Sequence, residues 1–236
     1  MKKNLPATLF ALTGFLGILC LVTRFWYLSV AMDKNGLLTP HAGNIICWIL
    51  TAAAVVCCLL LVLPRKPQIC FLKTPLAYGS AIAHTAALAV VSRQLLKGST
   101  FLETFAGVLA FLACLCAALQ LFLRITNKPV PVLSRFPLIL FLLIFFLCAY
   151  QQWSAQPQTA LYVFQLLALV CLTLTAFQRA ALELDNGNST LYLLFSGGAV
   201  FFCLAAVPNE PLWPFYLLMA PAVLLDLCVE KAPQEA

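Results

Sequence analysis

From Leu5 to Val229 the chain is a succession of long apolar runs separated by short polar connectors. About 20 apolar residues coiled as a helix span about 30 Å of hydrocarbon. In that medium every backbone N–H and C=O must find a partner inside the segment, which a helix provides by itself. The runs fall at approximately 6–30, 45–63, 75–95, 103–123, 136–153, 159–177, 191–207 and 212–229. The expected fold class is therefore all-α, a polytopic membrane protein built as a bundle of about eight transmembrane helices with short loops. No connector is long enough to fold separately, so residues 1–236 are read as a single integral membrane domain. Composition agrees: only 9% of residues are charged, against about 25% in a water-soluble domain.

The 14 basic residues outnumber the 8 acidic ones, but they form no dense run of the kind that grips nucleic acid. They sit at the ends of the apolar runs, as determinants of membrane orientation do. Met1-Lys2-Lys3 resembles the start of a signal peptide, yet the apolar run after it is too long and passes into Arg24-Phe25-Trp26-Tyr27 without a small-residue cleavage site. It is expected to be an uncleaved first span. Eight crossings then place Lys2, Lys3, Arg65, Lys66, Lys73, Arg124, Lys128, Arg135, Arg179 and Lys231 on one side and Arg24, Lys34, Arg93 and Lys97 on the other. Ten against four predicts both termini in the cytoplasm of a cell membrane, a bacterial cytoplasmic membrane by this reading.

Eleven cysteines invite a disulfide or zinc reading. Most of them lie inside apolar runs and none forms a C-x-x-C pair, so they are expected to be small packing residues. With only His41 and His84, a multi-histidine metal site is excluded within one chain. No P-loop or H-E-x-x-H motif is present, so neither a cofactor nor a metal is expected.

Polar and ionisable groups inside a membrane are costly and are functional candidates by default. His84 is the clearest. It lies about 13 Å along the third run from Pro75, near mid-membrane, on a face of small residues that includes Ser80. An imidazole, with an unperturbed pKa near 6.5, suits proton relay. Ser196, beside Gly197 and Gly198, and Gln165 complete a candidate intramembrane polar, proton or ligand site. A second candidate is an outer polar cluster of Arg24, Arg93 and Glu103, with Asp33, His41, Gln151, Gln152 and Glu210 at the same level, in which the arginines would receive an anionic group. Asp226, one turn inside the last run, either pairs with Arg124 or reaches the interface.

Thr74, Ser80, Ala83 and Val91 match Thr190, Ser196, Ala199 and Val207 at one constant offset. This suggests a weak 4+4 parallel internal repeat, an architecture used by transporters. The sequence thus points to a multi-pass, non-enzymatic membrane protein. A small transporter or permease-type protein and a membrane accessory or sensor component both remain open. The alternative is an intramembrane hydrolase using Ser196 as nucleophile and His84 as base. The expected surroundings are the lipid bilayer, with another membrane protein or a small-molecule substrate as partner and no nucleic acid.

Overall fold

A computed structural model describes residues 5–31, 42–62, 75–126, 130–154, 162–184, 186–209 and 211–228. They form eight helices: α1 (Leu5–Ala31), α2 (Ala42–Val62), α3 (Pro75–Leu95), α4 (Phe101–Ile125), α5 (Phe136–Ser154), α6 (Val163–Glu183), α7 (Ser189–Ala206) and α8 (Trp213–Cys228). No strand occurs among the described residues. Short 3-10 turns at Val132–Arg135 and Val207–Asn209 lead into α5 and out of α7.

Six helices, α1, α2, α4, α5, α6 and α7, are long and apolar enough to cross a membrane. The architecture is that of a multi-pass helical membrane protein. The other two fall short for different reasons. α3 has 21 residues but is diluted by Ala, Gly, Ser and His, while α8 has only 16 residues and carries Pro221 inside it. Large apolar side chains such as Phe15, Val22, Ile49, Phe111 and Phe122 point outward, the arrangement that hydrocarbon rather than water favours.

The packing gives these two weaker helices a shared role. α3 lies against α4 and α8, and successive contacts α4–α5, α5–α6, α6–α7 and α7–α8 close a ring of six helices. α1 and α2 pair with each other and attach to the outside of that ring through α7. α7 is the central post, with 61% of its span buried against 33–44% in the other long helices. The repeat anticipated above would make α3 and α7 counterparts. Their surroundings differ, since α7 packs on α1, α2, α6 and α8 and α3 on α4 and α8.

Local chemistry fixes the helix ends. Thr100 and Glu103 form a reciprocal cap at the start of α4: Glu103 N–H donates to Thr100 Oγ1 at 3.2 Å and Thr100 N–H to Glu103 Oε2 at 3.1 Å. α4 therefore begins two residues before the run read from hydropathy. Asn188 caps α7 by accepting from Thr190 N–H at 3.0 Å and Leu191 N–H at 3.4 Å. In the turn before it, a Cβ on Gly187 would lie 2.4 Å from Leu182 N, so no larger residue fits without moving the backbone. Gly107 likewise lets α3 and α4 close up, since a Cβ there would lie 2.8 Å from Leu96 N. The described cysteines are all free thiols, most of them buried, as small packing residues are expected to be.

The largest displacement from the sequence reading is in α6. The expected run ended near residue 177, but the helix continues to Glu183. Six further residues bring Arg179 and Glu183 onto the helix and into the bundle, instead of leaving them in a loop.

Candidate functional site

The polar groups converge at one end of the six-helix ring, where α4, α6 and α8 finish and α3, α5 and α7 begin. Four charged side chains meet there. Arg135, at the end of the 3-10 turn before α5, donates from Nη2 to Glu183 Oε1 at 2.8 Å and from Nε to Oε2 at 3.3 Å. Such a fork-to-fork pair is the strong geometry for arginine and carboxylate. Arg179, one turn before Glu183 on α6, places its Nε 3.9 Å from Glu183 Oε1 and its Nη1 in direct contact with Asp226 Oδ2 on α8. The Arg179 and Asp226 side chains are only 8% and 6% exposed. The network holds two positive and two negative groups, so its formal charge cancels, as burial away from water requires.

Hydrogen bonds bind this end further. Gln120 near the end of α4 donates to both Ser134 O (3.0 Å) and Ser134 Oγ (2.9 Å), and Ser134 Oγ donates to Pro131 O at 2.7 Å. Between α3 and α8, Ser80 Oγ donates to Ala222 O at 2.8 Å. His84 sits one turn above Ser80. Its Nδ1 is 3.2 Å from Ser80 O and 3.5 Å from Ser80 Oγ. A carbonyl oxygen can only accept, so Nδ1 carries the proton and Nε2 is the ring's acceptor.

Two cavities of about 30 Å³ each lie in this end of the ring. His84, Arg135, Leu138, Arg179 and Asp226 line both of them. One extends toward α6 and α7, past Thr175 and Tyr192, and the other toward α4, past Ser80 and Gln120. Thr175 is buried, and its Oγ1 has no hydrogen-bond partner among the described residues. By volume each cavity accommodates about two waters, since one water needs roughly 10–15 Å³ in this measure.

Of the residues picked out from sequence, Ser80 and His84 are thus joined in one bonded unit on the cavity walls. Ser196 and Gln165 lie elsewhere. Both are fully buried, and Ser196 Oγ and both amide atoms of Gln165 lack hydrogen-bond partners among the described residues. No hydrogen bond links Ser196 to His84 among the described residues.

The outer trio is dispersed. Arg24 is buried, bonding through Nη1 to Ala205 O and stacking over the Phe164 ring at 4.6 Å. Arg93 is exposed. Glu103 serves the α4 cap and accepts from Gln152 Nε2 at 2.5 Å. No ion pair joins either arginine to Glu103 among the described residues. Asp33, His41 and Glu210 lie outside the described residues, as does the Arg124 side chain.

Arg135, Arg179, Glu183 and Thr175 did not stand out in the sequence, and Asp226 did so without its partner. Arg135, Arg179 and Glu183 read as loop residues because they follow or precede apolar runs. One signal was present: Arg179 and Glu183 are four apart, the spacing of an ion pair along a continuing helix. Nothing local indicated that Arg135, 44 residues before Arg179, would share its carboxylate. Two of the ten basic residues assigned to the cytoplasmic side are therefore buried in ion pairs rather than displayed in loops.

No protein-family model matches the chain, and neither a curated protein nor a solved structure does.

Proposed function

We propose that this chain is a small, non-enzymatic transporter of the permease type whose path is the interior of the six-helix ring, and that it handles protons there. The observation that carries the reading is the convergence of His84, Arg179 and Asp226 on two small cavities inside a ring of mostly apolar helices. Charges in such a place are expensive and stay where a pathway uses them. His84, with Nδ1 held on Ser80 O, keeps a fixed tautomer and presents a basic Nε2. Water in the cavities would link that nitrogen to the Asp226 carboxylate. The excess of basic residues in the flanking segments supports a cell-membrane location with both termini cytoplasmic.

Reconstituted protein in liposomes with a trapped pH dye tests this. An imposed potential should drive proton entry, and His84→Ala should cut the rate at least tenfold in protein that inserts and melts normally. Proton entry that His84→Ala leaves untouched would end the proposal.

The narrowness of the cavities favours a second reading, a membrane accessory or sensor component in which the charge network only locks the ring. That reading expects no proton flux and a membrane partner that co-purifies in mild detergent.

A further inference from the structure

The cavities occupy one end of the ring, and the helix faces that line them continue toward the other end. On α6, Leu172, Thr175 and Arg179 line the first cavity. The same face runs on through Ala168 to Gln165, at spacings of three and four residues. All five of these residues are buried. On α5, Leu138 and Leu142 line that cavity, and Phe145 is the next residue on their face. From Asp226 on α8 the wall passes Val223 and Met219 toward Phe215, one turn further on. Each of the three helices therefore carries the interior face of the ring beyond the cavities.

What fills that interior is aromatic. α5 and α8 stand across the ring from each other. Between them Phe141 and Phe145 stack at 5.5 Å, and Phe215 meets both edge-on, at 6.1 and 5.7 Å. None of the three rings is more than 3% exposed. Direct contact between Arg179 and Asp226 sets α6 and α8 at one level. From there Phe215 lies roughly 16 Å along α8 and Gln165 roughly 21 Å along α6, by the rise of a helix. Seen from the cavities, Gln165 is thus on the far side of the rings. It is fully buried, and neither Nε2 nor Oε1 has a hydrogen-bond partner among the described residues. A buried amide without hydrogen bonds is unfavourable where an apolar side chain of similar size would pack freely.

We infer that the Phe141–Phe145–Phe215 cluster is the barrier on the proton path, and that Gln165 is the positioning residue that holds water beyond it when the rings part. The inference rests on the transport reading above and names the step that limits it. Packed phenyl rings exclude water, and with it the chain of hydrogen bonds a proton needs; hydrophobic constrictions gate channels in this way. The unsatisfied amide works against them, because entering water can both accept from Nε2 and donate to Oε1. Ring contacts hold the closed arrangement and Gln165 loosens it, which brings a wetted arrangement closer in free energy. The proton moves from water in the cavities to water at the amide. Gln165 keeps its charge throughout, and no covalent bond other than O–H bonds of water forms or breaks.

The test uses the full chain in liposomes with a trapped pH dye and an imposed potential. Phe215→Ala should raise the proton rate at least fivefold, and adding His84→Ala should remove the increase. Gln165→Leu should cut the wild-type rate at least fivefold and also raise the melting temperature in detergent, a pairing that a merely structural role would not give. That variant loses an unsatisfied group, so it carries the test should Phe215→Ala fail to insert. Wild-type flux that depends on His84 but is unmoved by Phe215→Ala and by Gln165→Leu would overturn the barrier and leave proton transport standing. A leak through Phe215→Ala that survives His84→Ala would mark a hole outside the path and overturn the barrier as well. A lowered melting temperature for Gln165→Leu would overturn the role of Gln165. Absence of proton flux in the wild type would remove this inference together with the transport reading.

Discussion

Three arginines are buried among the described residues, and two of them, Arg24 and Arg179, lie near opposite ends of α7 and are stabilised in different ways. Arg24 on α1 donates to Ala205 O and lies over the face of Phe164. Ala205 is at the end of α7, where carbonyls lose their helical partners. In the 3-10 turn that follows, its oxygen would look to the N–H three residues on, and that residue is Pro208, which has none. Arg24 fills that vacancy and joins the α1–α2 hairpin to the ring. Arg179 instead meets carboxylates, Asp226 directly and Glu183 at 3.9 Å. A carbonyl and a phenyl ring cannot change charge, while a carboxylate can. Through its carbonyl and ring contacts Arg24 ties α1 to α7, while Arg179 holds a carboxylate partner that can respond to protons.

Substitutions at the two ends should separate them by size of effect. The largest loss is expected from Asp226→Ala, which leaves Arg179 buried without its direct partner and should cost about 3–5 kcal/mol. Melting in detergent would read this directly. Replacing both partners, as Arg179→Met with Asp226→Leu, should recover at least half of that loss, because an apolar pair needs no compensation. A double variant no more stable than the single one would mean the pair is not an isolated charge unit.

Next in size is Gly187→Ala. Its Cβ would press on the Leu182 backbone at 2.4–2.7 Å, and overpacking of this kind typically costs about 1–3 kcal/mol. The comparison sharpens at Gly17, near the Arg24 end. There a Cβ comes closest to the Leu204 side-chain tip at 2.8 Å, which can rotate away. Gly17→Ala should therefore destabilise less than Gly187→Ala in the same melting assay, and the reverse order would refute the packing described for the α6–α7 turn.

Arg24→Met should cost about 1–2 kcal/mol, the loss of one charged hydrogen bond and one cation–π contact offset by easier burial. Limited proteolysis should show the α1–α2 hairpin loosened first. The smallest effect belongs to Glu103→Ala, which removes half of the α4 cap and should cost about 0.5–1 kcal/mol. A loss comparable to that of Asp226→Ala would mean Glu103 holds more than a helix end.

Hydropathy alone made seven of the eight helices legible to within a few residues, because a segment in hydrocarbon must be both long and apolar. It misjudged α6 for the same reason: Arg179 and Glu183 look like the end of a span when the only alternative considered is lipid. Ser80 and His84 were legible as a pair, being one helical turn apart on a small-residue face. Glu103, read as part of an outer polar cluster, also forms a capping box with Thr100, which has the same residues whether or not an arginine is near.

By itself, then, the order of residues determined that this chain is helical, that its helices suit hydrocarbon, and that His84 lies within one of them. Those are properties of single segments, set by apolar content and a 3.6-residue turn. Which segments become neighbours was decided only in three dimensions. Asp226 meets Arg179 from 47 positions away and Arg135 meets Glu183 from 48, because the six-helix ring brings the ends of α5, α6 and α8 together. Long-range charge matching of this kind leaves no periodic trace in the chain, and the cavities it borders exist only once the ring has closed.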